Sequence, residues 1–168
     1  MISVLFVCLG NICRSPVAEE TFRQLLKEEG LTGKIRCDSA GTQGYHTGDL
    51  PDARTRKNAE SHGLTLNHKA RKLSGKDFAD FEYIVAMDEA NLTAIRALHN
   101  KAVGFLPDAD TVFLLREFDP TNTDSKKPMF DVPDPYYGSI DDFEQVYQIV
   151  TRSNQELLGY LKERHSLF

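Results

Sequence analysis

The residue types best suited to chemistry fall in one stretch, Cys8-Leu9-Gly10-Asn11-Ile12-Cys13-Arg14-Ser15. A thiol opens it and a guanidinium follows six positions later. The thiolate, not the thiol, is the nucleophile, and amide dipoles with a nearby cation pull a thiol pKa down to roughly 3.5–7.5. Cys8 is therefore the candidate nucleophile. Arg14 presents a planar fork that grips two oxygens of a tetrahedral oxyanion and holds them through in-line attack. Ser15 can donate its hydroxyl to the Cys8 sulfur, steadying it as attacker and later as leaving group. Gly10 supplies freedom to take positive φ where a loop bends, and Asn11 is a type that tolerates left-handed backbone.

Such a set needs elements that seat an anion. The apolar run Ile2–Val7 reads as a strand, and Pro16 onward reads as a helix. Strand, tight loop and helix N-terminus in that order converge backbone N–H groups on a concavity, where the helix dipole adds about half a positive charge. Taken singly, the parts are bland. A cysteine after an apolar strand is usually a small buried hydrophobe, and Ser-Pro is a common helix start. The compound pattern C-x5-R-S at a strand–loop–helix junction is what favours chemistry. Walker A and Rossmann glycine signatures are both missing.

The remaining chain alternates. Lys34–Asp38, Glu82–Met87 and Ala102–Leu106 read as further strands, and Val112–Leu115 as a short apolar stretch of undecided type. Helices are expected over Pro16–Glu29, Pro51–His62, a short segment from Ser74, and Glu89–Leu98 capped by Asp88. Phe143, Val146, Tyr147, Val150, Leu157, Leu158 and Leu161 recur at helical spacing and predict a long helix over residues 140–164. The expected fold class is α/β: one domain spanning 1–168, with a four-stranded parallel twisted sheet covered by helices on both faces. Ligands of such sheets bind at the carboxyl ends of the strands, which is where Cys8 falls. The irregular stretch from Asp119 to Pro133 is long enough to carry function.

Composition narrows the classes. A net charge of −5 with no basic stripe argues against nucleic acid. Three cysteines, two of them in the loop, are no disulfide framework. A working thiolate needs reducing surroundings, so a cytoplasmic home is expected. The first apolar run is too short for a membrane span and has no basic flank of the secretory kind. His46, His62, His99 and His165 show no grouping with metal-ligand spacing, and no metal or other cofactor is expected.

From Val4 to Glu20 the chain reads VLFVCLGNICRSPVAEE, which resembles the active-site loop of the low-molecular-weight protein tyrosine phosphatases. Asp38-Ser39-Ala40-Gly41, Asn67-His68-Lys69-Ala70-Arg71, Ala86-Met87-Asp88-Glu89-Ala90-Asn91 and Asp134-Pro135-Tyr136-Tyr137-Gly138 resemble further landmarks of that family, in the same order. Lys101–Pro133 departs from the family most. The resemblance implies hydrolysis of phosphotyrosine and small aryl phosphates through a phosphocysteine on Cys8, with Arg14 binding phosphate.

A leaving phenoxide needs a proton, which a carboxylic acid held over the site would supply. The residues alone leave Asp131 and Asp134 as alternatives. The resemblance selects Asp134, the Asp of Asp-Pro-Tyr. It further implies Ser39 and His68 as hydrogen-bond supports of Asn11, with Asp88 as a helix cap, as part of that support, or both. Tyr45, Tyr136 and Tyr137 are implied as aromatic walls, with Leu9 and Ile12 as apolar floor and rim. Relatives resembling arginine phosphatases carry Thr where Ile12 stands, so Ile12 favours phosphotyrosine. Implied partners are phosphotyrosine-containing proteins, with inorganic phosphate or vanadate as oxyanion inhibitors, acting on a monomer or weak dimer. A reversible Cys8–Cys13 disulfide is a further expectation. The competing readings are a thiol-dependent arsenate reductase, a non-catalytic phosphotyrosine-binding module and a small-metabolite phosphatase. The reductase would need relay cysteines outside the loop, where only Cys37 stands.

Overall fold

The computed structural model describes residues 1–168 except Ser125, Lys127 and Pro128, so part of the charged run Asp124–Lys127 and one proline of the irregular stretch lie outside the described residues. Strand β1 (Ile2–Cys8) is flanked by β2 (Ile35–Gly41) and β3 (Tyr83–Ala86), and β4 (Val112–Leu114) forms the far edge. The order is β2-β1-β3-β4 and every pairing is parallel. Because side chains alternate across a strand, β1 feeds two cores. Val4, Phe6 and Cys8 join the cluster formed with helices α1 (Arg14–Glu28) and α5 (Ile140–Arg164). Leu5 and Val7 join the opposite cluster, with Ile95 of helix α4 (Glu89–Val103). Phe22 of α1 meets Phe6 edge-on at 5.5 Å between ring centroids, and both are fully buried. The central strand is thus buried on both faces, which explains its unbroken apolar run Val4–Cys8. Ser3 before it is buried too, its hydroxyl donating to Asp80 O at 3.2 Å and accepting from Glu82 N at 3.0 Å.

Helix starts follow local chemistry. Asp52 caps α2 (Ala53–Ser61) by accepting from Arg54 N at 2.8 Å, and Asp88 caps α4 by accepting from Asn91 N at 2.7 Å. Asp77, which opens the short α3 (Asp77–Asp80), reaches back to Ser74 N at 2.9 Å. Ser139 and Asp142 form a capping box at the start of α5.

One expected strand is corrected. Ala102–Leu106 is not part of the sheet: Ala102 and Val103 complete α4, five residues beyond its expected end at Leu98, and Gly104 terminates it at φ +95°. That left-handed backbone suits glycine and closes a helix. Phe105 and Leu106 then lie exposed, so the apolar run misled by having no core to face. The fourth strand is instead Val112–Leu114, within the stretch whose type the sequence left open.

Candidate active site

The loop Leu9–Cys13 leaves the carboxyl end of β1 and runs into α1, whose N-terminus opens on it. Two of its carbonyl groups, and that of Cys8 before it, are held from outside. Thr42 N donates to Cys8 O, Gln43 N to Leu9 O and Asp52 N to Ile12 O, at 2.9–3.0 Å. Three acceptors that would repel an anion are thereby engaged elsewhere. Close approach of β2 to the loop requires Gly41, because a Cβ there would meet Leu9 O at 2.8 Å and Asn11 N at 3.1 Å.

Asn11 is the hub. It sits at φ +59°, and its side-chain amide donates to Ser15 Oγ at 2.8 Å and Ser39 Oγ at 3.0 Å. Its oxygen accepts from Arg71 N at 3.1 Å and meets His68 Nε2 at 2.8 Å. The Ser39 hydroxyl donates to Glu19 Oε1 at 2.6 Å. Since Ser15 Oγ accepts from Asn11, its hydroxyl proton is free to point at Cys8 Sγ, 3.0 Å away. With its proton committed to Glu19, Ser39 Oγ accepts from Asn11, and the same Asn11 amide nitrogen donates to Ser15.

Arg14 is 2% exposed. One terminal nitrogen donates to Asp88 Oδ2 at 2.6 Å and to Val132 O at 3.0 Å, and the other lies 3.7 Å from Asp134 Oδ2. Burial works against its charge, but the Cys8 sulfur and the carboxylates of Asp88 and Asp134 outweigh it and push the guanidinium above its usual range. Asp88 therefore caps α4 as expected, and its other contact is with Arg14 rather than with the Asn11 network.

Asp134 accepts from Tyr136 N at 3.1 Å through Oδ1, which leaves Oδ2 toward Arg14. Asp131, the alternative acid, is committed elsewhere: its carboxylate accepts from Glu89 N at 2.9 Å at the start of α4. Cys8, Leu9, Ile12, Arg14, Tyr45, Asp134, Tyr136 and Tyr137 line one cavity of about 320 Å³, together with Gly10, Cys13 and His46. Tyr137 is 96% exposed at its mouth, and Ile12 only 8%. Cys13 packs with Ile12, Ala70 and Phe143. Burial pushes its thiol up to about 12 despite a contact with Thr55.

Three participants were not read from the sequence. Glu19 lies one helical turn beyond Ser15, a spacing that puts both on one face of α1, and this was the available signal. Arg71 bridges Asp38 and Asp77 while its backbone holds Asn11. His46 stands at the cavity wall with its Cδ2 3.2 Å from where a Gly10 Cβ would be, and its Nδ1 3.5 Å from Asp49. Among the described residues, Glu19, Asp38 and His68 also form a group with metal-ligand potential, their atoms within 4.8 Å of one another. Arg23 and Arg71 already pair with those carboxylates, and the other His68 nitrogen faces Asn11.

A thiol, a buried guanidinium and a carboxyl group facing one cavity at the carboxyl end of a parallel sheet make a thiol-based oxyanion site. The family model described as low molecular weight phosphotyrosine protein phosphatase matches residues 3–167. The human protein of that name is 44% identical over 150 residues, 89% of each chain. The low molecular weight protein-tyrosine-phosphatase YfkJ of Bacillus subtilis is 40% identical over 168 residues, covering 99% of this chain and 100% of its own. The crystal structure of a protein tyrosine phosphatase from Entamoeba histolytica superposes with a TM-score of 0.85 at 35% identity, over 98% of this chain and 99% of that one. The chain belongs to the low molecular weight phosphotyrosine protein phosphatase family.

Proposed function

We propose that this protein hydrolyses phosphotyrosine in proteins, and small aryl phosphates, through a phosphocysteine formed on Cys8. The observation that carries the reading is the shared cavity of Cys8, Arg14 and Asp134, with the Ser15 hydroxyl 3.0 Å from the sulfur. Arg14 and the N-terminus of α1 hold the phosphoryl oxygens, and Arg14 binds them in a geometry already fixed by Asp88 and Val132 O. The Cys8 thiolate attacks phosphorus in line with the phenolic oxygen. As the P–O bond breaks, Asp134 gives its proton to the departing phenoxide. In the second half Asp134, now a carboxylate, takes a proton from water as it attacks the phosphocysteine. Phosphate leaves and the thiolate returns, steadied by Ser15. General acid catalysis of this kind contributes about 100- to 10,000-fold.

Aromatic walls from Tyr45, Tyr136 and Tyr137 suit an aryl ester, and the apolar Ile12 in the floor supports phosphotyrosine over a guanidinium-borne phosphate. Vanadate and inorganic phosphate should compete for the same cradle. The chain acts as a monomer or weak dimer in this reading, and the need to keep its thiol reduced favours the cytoplasm. Among the described residues no helix is long and apolar enough to cross a membrane.

The test is hydrolysis of an aryl phosphate and a phosphotyrosine peptide at mildly acidic pH with chelator present. Wild type should turn over, Cys8→Ser should be inactive, and Asp134→Ala should be slowed most with poor leaving groups. Peptide binding without turnover by the wild type would replace this reading with a binding module.

A further inference from the structure

The irregular stretch Asp119–Pro133 leads directly into Asp134, and its described residues form no helix or strand, so something must fix its course. Arg116, 8% exposed, lies in the short 3-10 turn Leu115–Phe118 that follows β4. Its Nε donates to Asp119 Oδ2 at 3.0 Å and its Nη1 to the carbonyl of Asp131 at 2.8 Å. One side chain therefore ties together two points of the stretch that are twelve residues apart in sequence. Between them Asn122 pairs with Met129 in both directions, at 3.0 and 2.9 Å.

The consequence runs towards the site. Next to the clamped Asp131 carbonyl, Val132 N donates to Met87 O at 2.8 Å and Val132 O accepts from Arg14 at 3.0 Å. Two residues further on is Asp134. Asp119 forms the fixed end of the clamp. Its carboxylate also accepts from Arg152 Nε at 2.8 Å and Nη2 at 3.0 Å, and from Thr121 N and Oγ1, each at 2.9 Å. Burial alone would push that carboxyl up, but these donors hold it well below the usual range, so the anchor stays charged near neutrality. Arg152 reaches Asp119 alone, whereas Arg116 reaches Asp119 and the backbone leading to the acid.

We propose that Arg116 is a positioning residue of the reaction: by holding the Asp131 carbonyl against Asp119, it sets where Asp134 stands relative to Cys8 and where Val132 O meets Arg14. This rests on Asp134 being the acid, and the experiment separates the two. kcat/KM is measured for 2,4-dinitrophenyl phosphate, whose leaving group needs no proton, and for phenyl phosphate, whose leaving group does. Loss of folded protein lowers both alike, while loss of a well-placed acid raises their ratio. Asp134→Ala should raise the ratio most. Arg116→Met should raise it about tenfold, since small misplacements cost up to about 100-fold, and Arg116→Lys should fall between Arg116→Met and wild type. Arg152→Met should lower the melting temperature yet keep the ratio within about twofold of wild type.

If Asp134→Ala raises the ratio and Arg116→Met does not, the inference is overturned and the acid stands. An Arg152→Met ratio equal to that of Arg116→Met overturns it too, by assigning the effect to Asp119. An unchanged ratio in Asp134→Ala removes the acid and the inference together. Should Arg116→Met fail to fold, Arg116→Lys carries the test, and a wild-type ratio there overturns the proposal.

Discussion

Replacing Asn11 separates backbone from side chain at the hub of the site. At φ +59° an alanine pays about 1–2 kcal/mol for left-handed backbone. It also removes two donors and two acceptor contacts. Each buried hydrogen bond is worth about 0.5–1.5 kcal/mol, and a partner left unsatisfied costs about 1–3. His68 Nε2 and Arg71 N lose their acceptor, so Asn11→Ala should cost about 4 kcal/mol in all. Asn11→Gly takes the backbone conformation freely but loses the same contacts. After glycine's own entropic cost it should recover about 1 kcal/mol. Urea denaturation at constant m-value reads both, and kcat/KM on an aryl phosphate should fall at least about 100-fold in each as Ser15 loses its orientation. Glycine and alanine variants of equal stability would refute the backbone part. Either variant within about 1 kcal/mol of wild type would refute the hub.

Four further outcomes are expected. Gly41→Ala should cut activity sharply with little change in Asp134-dependent leaving-group sensitivity, because its Cβ presses on Leu9 O and Asn11 N; normal kcat/KM would contradict this. Phe22→Ala removes a ring packed on Phe6 in a fully buried site and should cost about 3–5 kcal/mol in urea unfolding. Glu144 is pushed up by burial, but hydrogen bonds from Gln148, His62 and Asn58 outweigh this and hold its carboxyl at about 2 against an ordinary 4.5. A depressed folded value stabilises above the unfolded one, so Glu144→Gln should lower Tm at pH 6, and the difference should fade as pH drops from 4.5 towards 2; a pH-independent difference would contradict the linkage. Peroxide converts Cys8 to its sulfenic acid with release of hydroxide, and attack by the Cys13 thiolate would then expel hydroxide and leave a disulfide. With the Cys13 thiol at about 12, bridge formation after a pH jump should quicken about tenfold per unit between pH 6 and 9. Non-reducing mass mapping that finds Cys8 oxidised with Cys13 free would contradict the bridge.

Elements whose burial is written in their own pattern were legible in the sequence. β1 is apolar from Val4 to Cys8 because both faces are covered there, and α5 shows its stripe at helical spacing. The loop was legible because its residue types have few other uses in that order. The fourth strand was not, since Ala102–Leu106 and Val112–Leu114 are both short and apolar, and only the sheet edge distinguishes them. Glu19, Arg71 and Arg116 were missed for a related reason: charged residues on a helix, a turn or an irregular segment look like solvated surface until tertiary structure gives them partners. His46 was set aside for want of neighbouring ligands, yet it needs none to form a cavity wall.

The most direct test of the central claim is rapid-quench trapping of the phosphoryl group during turnover of an aryl phosphate at mildly acidic pH, followed by peptide mapping. The account predicts phosphate bound to the sulfur of Cys8, appearing before product phosphate and absent from Cys8→Ser. Phosphate on any other residue, or steady turnover by Cys8→Ser, would contradict it.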